Sequence, residues 1–371
     1  MMNHCENGPT ESWVLQLCHG YDGPFLDCAR QYSVLFRGTS YKVCTVYLTG
    51  EASKDVEQGS ASDEVVFLGY SSRQVRGLKL EAIREIRRIT AKHDFVLCIA
   101  HRFKPTYVAL FGSRLPVIGI SHAFGDYHRR TRKLLANVFT KRLTLLGVSN
   151  AVRDDLRKCL PRWTEERIQT LYNRIDINAV QTSQLSRDAA RAHLGLQPGG
   201  WVVGNVGRLH PDKDQRTLIR GFAQALPHLP SGSLLVIMGS GPLDTTLKAL
   251  VAESGLSESV RFLGQVPNGR RYFKAFDVFA LTSDHEPFGM VLLEAMAAGV
   301  PLICSDCGGG REVVDGVGEL FALGDVGDLA RCLISASVEP GQCEAIYAER
   351  LQEVFSDEYA RKRFHQLIWS G

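Results

Sequence analysis

The chain has 371 residues, 44% hydrophobic and 22% charged, with a formal net charge of +3. No apolar run approaches the roughly 18 residues of a membrane span, and the N-terminus lacks the basic-then-apolar pattern of a secretory signal. Ten cysteines scattered from Cys5 to Cys343 suit a reducing cytoplasm better than a disulfide framework.

Short apolar runs alternate with amphipathic stretches along the whole chain. In the first half the expected strands are 13–18, 42–48, 64–70, 95–100, 116–122, 144–150 and 167–173. In the second half they are 201–209, 233–241, 260–266, 278–283, 301–306 and 318–323, with helical patterns such as 215–226 and 243–254 between them. This alternation predicts an α/β fold of parallel sheets covered by helices. Two series of this length are too much for one compact sheet, so two Rossmann-like domains are expected. The polar stretch Asn178–Gly200 reads as the boundary, giving an N-terminal domain 1–180 and a C-terminal domain 181–354. The tail reads as a helix, with Tyr359, Phe364 and Leu367 available for docking.

Charge divides unevenly. Residues 1–175 hold 26 Lys+Arg against 17 Asp+Glu, a net of +9, and the remainder nets −6. The asymmetry points to an anionic partner for the first half. The segment His128–Leu146 is basic and amphipathic, carrying Arg129, Arg130, Arg132, Lys133, Lys141 and Arg142 among Leu134, Leu135, Val138, Phe139 and Leu143. Such a stretch suits peripheral contact with anionic lipid, or else a surface helix with snorkelling cations. No nucleic-acid module is present, so no nucleic-acid partner is expected.

In the second half the run Val203–Leu209 ends a strand in Gly207 and Arg208, followed by Lys213. At the carboxyl edge of a parallel sheet this is the expected place for a diphosphate, with Arg208 as a fork and Lys213 as a point charge. Asp212-Lys213-Asp214 matches a DxD metal pattern, but the intervening lysine and the polar turn make it a poor cation site, and no metal is expected.

Glu286 and Glu294 bracket Pro287-Phe288-Gly289-Met290-Val291-Leu292-Leu293. With a helix starting near Phe288 the stretch spans at most ~12 Å at about 1.5 Å per residue. That is the reach of a sugar joined to a nucleoside through a diphosphate, with the helix N-terminus facing the phosphates. Glu294 lies among apolar helix residues, where a carboxylate is costly to bury without a partner, and a ribose diol is a suitable one.

Gly207-Arg208 with Lys213, then Glu286-x7-Glu294, then Ser305-Asp306-Cys307-Gly308-Gly309 leading to Glu312 resemble the retaining glycosyltransferases of family 4, the glycosyl transferases group 1 with the GT-B fold. The resemblance spans roughly residues 200–325. It implies two Rossmann-like domains with parallel sheets facing across a cleft, and a C-terminal helix 355–371 packing back on the first. By resemblance, Arg208, Lys213 and Gly207 hold the donor diphosphate, and Glu294 holds the ribose. Glu286 contacts the transferred sugar, with Phe288, Gly289 and Met290 offering backbone amides. His122, ending a strand-like run, lies near the sugar and β-phosphate. The catalytic set is then Glu286, His122, Arg208 and Lys213. The implied activity is metal-independent, retaining transfer of a hexose-like sugar from a nucleotide diphosphate donor to an acceptor hydroxyl. The expected acceptor is a surface glycan or glycolipid such as a lipopolysaccharide core, handled in the cytoplasm or at the inner face of its membrane. A nucleotide-sugar epimerase and a non-catalytic nucleotide-sugar binder are the rival readings. The first loop, Cys18–Pro24, departs from the family's paired glycines. Gly20 and Gly23 remain candidates for donor amides, and His19 and Asp22 for positioning the acceptor.

Overall fold

The computed structural model describes residues 11–338 and 343–369; Cys5 and the end of the expected helix 355–371 lie outside them. Seven strands come first: β1 Ser12–Cys18, β2 Tyr41–Tyr47, β3 Glu64–Phe67, β4 Asp94–His101, β5 Val117–Ser121, β6 Leu143–Gly147 and β7 Ile168–Thr170. Six follow: β8 Val202–Val206, β9 Leu234–Met238, β10 Val260–Gly264, β11 Val278–Leu281, β12 Leu302–Ser305 and β13 Glu319–Phe321. They build two sheets, ordered β3-β2-β1-β4-β5-β6-β7 and β10-β9-β8-β11-β12-β13. The ladders are parallel throughout. Central strands such as β5, β9 and β11 are buried at every position. That is why they read as unbroken apolar runs: a parallel sheet is covered on both faces by its own crossovers.

The chain divides into two units. One holds the residues up to Asn173 together with those from Ala360 onward, and the other holds Arg174–Tyr359. The first unit's core gathers Leu15, Leu17, Val46, Ile86, Val108 and Leu145. The second gathers Val203, Leu218, Phe222, Leu235, Ile237 and Leu329.

The expected boundary at 180/181 lies too late. Instead of a linker, residues 178–200 contribute the helices Ile177–Ser183 and Arg187–His193 to the body of the second unit. Arg191 explains the anchoring. It is 1% exposed, and its guanidinium donates to Ala275 O, Gln197 O and Pro198 O and pairs with Asp277 at 2.7 Å. Leu185 N donates to Arg271 O, and Arg271 Nε returns to Ser183 O. A polar stretch whose cations are consumed internally is body, not linker.

The expected tail helix is present as Asp357–Trp369, after a separate helix Glu344–Val354 that ends at Phe355. Within the first unit Phe364 is fully buried against Phe36 and Trp369 stacks on Tyr41; Tyr359, at the end of the second unit, is exposed. Residues 128–146 are not one amphipathic helix. Helix stops at Val138, and Leu143 already belongs to β6. Arg142 donates to Leu110 O, Ser113 O and Leu115 O, so its charge serves the first unit's interior.

Arg174 is fully buried and pairs through Nε with Asp357 at 2.7 Å. Both lie in the second unit, next to the two points where the chain enters and leaves it. Removing the carboxylate takes a charge partner from a fully buried guanidinium, which typically costs about 3 kcal/mol or more. Asp357→Ala should therefore speed hydrogen exchange at the amides of β8 and β11 by roughly a hundredfold or more, if they exchange through unfolding of the unit. Unchanged protection there would show that the pair does not hold the unit together.

Candidate active site

In the second sheet β8 and β11 are neighbours, but their crossovers leave in opposite directions, toward β9 and toward β12. At such a switch point the loops beyond the carboxyl ends diverge and leave a crevice. The chain supplies Gly207 to Asp214 after β8 and Thr282 to Gly289 after β11.

The first loop is drawn tight against the next strand's end. Gly207 N donates to Met238 O and Leu209 N to Ser240 O. Gly239, at φ 142, allows this approach: a Cβ there would sit 1.8 Å from Gly207 O. A short turn, Pro211–Lys213, then brings Lys213 inward. Its Nζ lies 2.6 Å from Glu286 Oε2, with the two side chains 17% and 8% exposed. Ser283 Oγ donates to the same carboxylate oxygen at 3.0 Å. Thr282 Oγ1 donates to Lys213 O and Asp214 O, fastening the two loops together.

The acids of the DxD pattern have other uses. Asp214, left-handed at φ 42, caps the helix Gln215–Ala225 by accepting from Thr217 N and Thr217 Oγ1. Asp212 accepts from Arg208 Nη2 at 3.2 Å and pairs with His210. That contact holds Arg208, whose side chain is 68% exposed, over the same loop.

Glu286 is fixed from behind as well. Gly309 N donates to Glu286 O at 2.8 Å, and a Cβ at Gly308 or Gly309 would sit 2.4 Å from Glu286 O or 2.3 Å from Pro287 O. This close backbone contact is the physical content of the Cys307-Gly308-Gly309 run. Ser305 Oγ donates to Ser283 O at 2.6 Å. Phe288 is buried edge-on to Phe355. The helix begins at Met290 rather than near Phe288, with Gly289 at φ 93 as its cap and no side-chain cap bond. Glu294 lies half-buried on that helix between the buried Leu293 and Ala295.

Lys213 and Glu286 are thus brought into contact. Gly207 and Arg208 share the first loop, and Phe288, Gly289 and Met290 lead from Glu286 into the helix bearing Glu294. Ser283 was missed from sequence, although its place two residues beyond β11 marks it as a crevice residue.

His122 lies in the first unit, in a network with no sequence signature. Gln16 Nε2 donates to Ala29 O. A carbonyl can only accept, so the amide oxygen must face His101 Nε2, 3.3 Å away. His101 Nε2 therefore carries a proton and its Nδ1 accepts from His122 Nε2 at 3.0 Å. His122 Nδ1 is left as an acceptor, 3.8 Å from Cys28 Sγ. Both rings are neutral. Burial, then the charge of Arg102, lowers His122 to about 3. Burial, then His122, holds His101 well below the ordinary histidine value. His101 was also missed, as were Arg102 and Lys104, which follow β4 directly.

Residues 186–364 match the family model described as glycosyl transferases group 1. Among curated relatives, the D-inositol 3-phosphate glycosyltransferase of Nocardia farcinica is 40% identical over 147 residues, 37% of this chain and 33% of that protein. The lipopolysaccharide core biosynthesis mannosyltransferase LpsB of Rhizobium meliloti is 29% identical over 173 residues, 44% of this chain and 49% of that protein. The matched region therefore spans a third to a half of those relatives' lengths. The crystal structure of Anabaena HepE in complex with UDP gives a TM-score of 0.77 at 22% identity, covering 97% of this chain and 100% of that one. The two parallel sheets and this likeness make the fold α/β of the GT-B type.

The neutral histidines predict how stability depends on pH. An unfolded histidine protonates near 6.5, whereas folded His122 resists protonation down to about 3. Between those values the unfolded chain binds more protons, so stability is full above pH 6.5 and falls as the solution is acidified. The urea midpoint of the first unit should drop across this window, and His101→Gln/His122→Gln should flatten the slope. An unchanged slope would refute neutral burial.

Proposed function

We propose, from the match of residues 186–364 to the family model of the glycosyl transferases group 1, that the chain moves a sugar from a nucleotide diphosphate donor to an acceptor hydroxyl with retention and without a metal. The observation that carries this reading is the Lys213–Glu286 pair at the carboxyl edge of β8 and β11, 2.6 Å apart and largely withdrawn from water. It offers a cation for the leaving phosphate directly beside an acceptor for sugar hydroxyls. Within this reading Arg208 and Lys213 hold the diphosphate, with the open backbone at Gly207 admitting it. A Cβ at Gly207 would meet only Lys213 Cγ, at 4.0 Å. Glu294 takes the ribose, and the amides of Phe288, Gly289 and Met290 line the sugar end.

In the reaction the bond between the anomeric carbon and the phosphate oxygen breaks while a bond to the acceptor oxygen forms on the same face. The acceptor's proton passes to the departing phosphate. Negative charge grows on that phosphate, and a preorganised Lys213 stabilises it. Glu286, bonded to Lys213 and Ser283, accepts hydrogen bonds from the sugar and orients it. His122 can accept through Nδ1 by exchanging its long contact with Cys28; Nε2 stays committed to His101.

The acceptor in this reading is a glycan or glycolipid of the lipopolysaccharide-core kind, supported by the likeness to LpsB. We place the chain in the cytoplasm, in peripheral contact with the inner face of an anionic membrane. No helix among the described residues is long and apolar enough to cross a membrane. Supporting a peripheral contact, Leu134 and Val138 are 66% and 69% exposed on a helix with Arg130 and Lys133, just after Arg129.

Lys213→Ala should lower kcat by about a hundredfold or more. Glu294→Ala should weaken UDP binding in a calorimetric titration, and EDTA should leave turnover intact. Full activity in Lys213→Ala, undiminished UDP affinity in Glu294→Ala, or loss of activity to EDTA restored by a divalent ion would each remove its part of the assignment. Leu134→Glu/Val138→Glu should abolish sedimentation with phosphatidylglycerol vesicles at low salt; equal sedimentation of variant and parent would end the membrane placement.

A further inference from the structure

The first unit has a switch point of its own, between β1 and β4, whose crossovers run to β2 and to β5. A cavity of about 140 Å³ opens there, lined by His19, Arg102, Phe103, Lys104, Asp126 and Arg132, with Pro105. Residues 101–150 contain nine Lys+Arg and one acid, Asp126, and that acid is in the cavity wall.

Three cations around one carboxylate leave the cavity electrostatically unfinished. Asp126 faces Arg132 at 3.9 Å. Burial, then Arg102, Arg76 and Arg132, hold the Lys104 ammonium below the ordinary lysine value. Two further features belong to the same wall. His19 Nδ1 is buried with no hydrogen-bond partner, in a residue that lines the cavity. Arg102 adopts φ 73, a conformation that costs a non-glycine residue about 1–3 kcal/mol and persists only where the surroundings hold it. Its N–H donates to Ile120 O, and its guanidinium lies over the Phe25 ring at 4.9 Å. The helix Phe103–Gly112 starts at once after it, with no side-chain cap, so its positive end adds to the cationic wall.

We propose that this cavity binds a phosphomonoester carried by the molecule that receives the sugar. A dianion answers several cations at once, where a single carboxylate would leave charge unmet. Asp126 gives the other wall an acceptor for a neighbouring hydroxyl. The assignment to the acceptor rests on the glycosyl-transfer reading above, in which Arg208 and Lys213 of the second unit already serve the donor's diphosphate.

The full chain, titrated calorimetrically with glucose 6-phosphate, glucose and inorganic phosphate, tests this. Glucose 6-phosphate should bind, inorganic phosphate should compete with it, and glucose should not bind. Lys104→Gln and Arg102→Gln should each weaken glucose 6-phosphate binding by roughly tenfold or more, with UDP affinity unchanged in both and the melting temperature unchanged in Lys104→Gln. Binding of inorganic phosphate without glucose 6-phosphate would overturn the substrate assignment. So would glucose 6-phosphate affinity that survives both substitutions, or a parallel loss of UDP affinity, which would give the cavity to the donor. A chain that binds UDP but neither phosphate sinks this inference alone. A chain that binds glucose 6-phosphate but not UDP sinks the glycosyl-transfer reading, and the word acceptor with it.

Discussion

The second unit is organised around keeping one lysine and one glutamate in contact. Burying two charges costs desolvation that their attraction offsets only when geometry is good and remaining lone pairs are satisfied. Lys213 and Glu286 meet at 2.6 Å, and Ser283 supplies the extra bond. Everything nearby holds that geometry. Asn205 Nδ2 donates to Ala280 O between β8 and β11, Thr282 ties its loop to the lysine's backbone, and two glycines let the Gly308 helix press against the glutamate's carbonyl. The pair spans a sheet position where the strand order reverses, so no single local segment could produce it. It is a product of topology, and the loops are shaped to preserve it.

Much of the fold was legible because parallel strands are buried on both faces and appear as apolar runs between turn residues. All thirteen expected runs contain a strand. The strand ends were harder to read, for a physical reason at the site itself. The run 201–209 continues in sequence past Val206, but Gly207–Leu209 leaves the ladder to bond with Met238 and Ser240. The boundary error has a different origin. Arg187 and Arg191 look like solvent residues in sequence, yet both pair with Asp277, a partner far along the chain. The relay of Gln16, His101, His122 and Cys28 joins four separate segments and leaves no periodic trace. His122 was legible as a strand-end histidine; its engagement on both ring nitrogens was not. Arg102 and Lys104 were passed over because a basic turn after a strand has the same composition as an ordinary solvated loop.

The two units handle charge in opposite ways. In the second, the cations nearest the crevice are matched: Lys213 by Glu286 and Arg208 by Asp212. In the first, the cations at the corresponding sheet edge outnumber the acids. Matched pairs position a ligand through geometry, and an incoming anion must compete with the carboxylate already present. An unmatched cluster gains more from an anion, because the ligand relieves repulsion among the cations as well as making its own contacts. One edge of the chain is therefore charge-matched, and the other carries an unmatched excess of cations.

That difference bears on the histidine relay, which lies just inside the basic edge. Arg102 is the largest charge acting against protonation of His122, and His122 acts in the same sense on His101. The relay's direction, from Cys28 through both rings to Gln16, is fixed at its far end by a backbone carbonyl that only an amide nitrogen can face. A neutral relay with one defined tautomer is rigid, since reversing either ring would set two donors or two acceptors against each other. The cationic edge is thus more than a surface for anions. Its field, added to burial, keeps two histidines neutral, and their fixed hydrogen bonds in turn hold the ends of β4 and β5, from which the cationic edge itself projects.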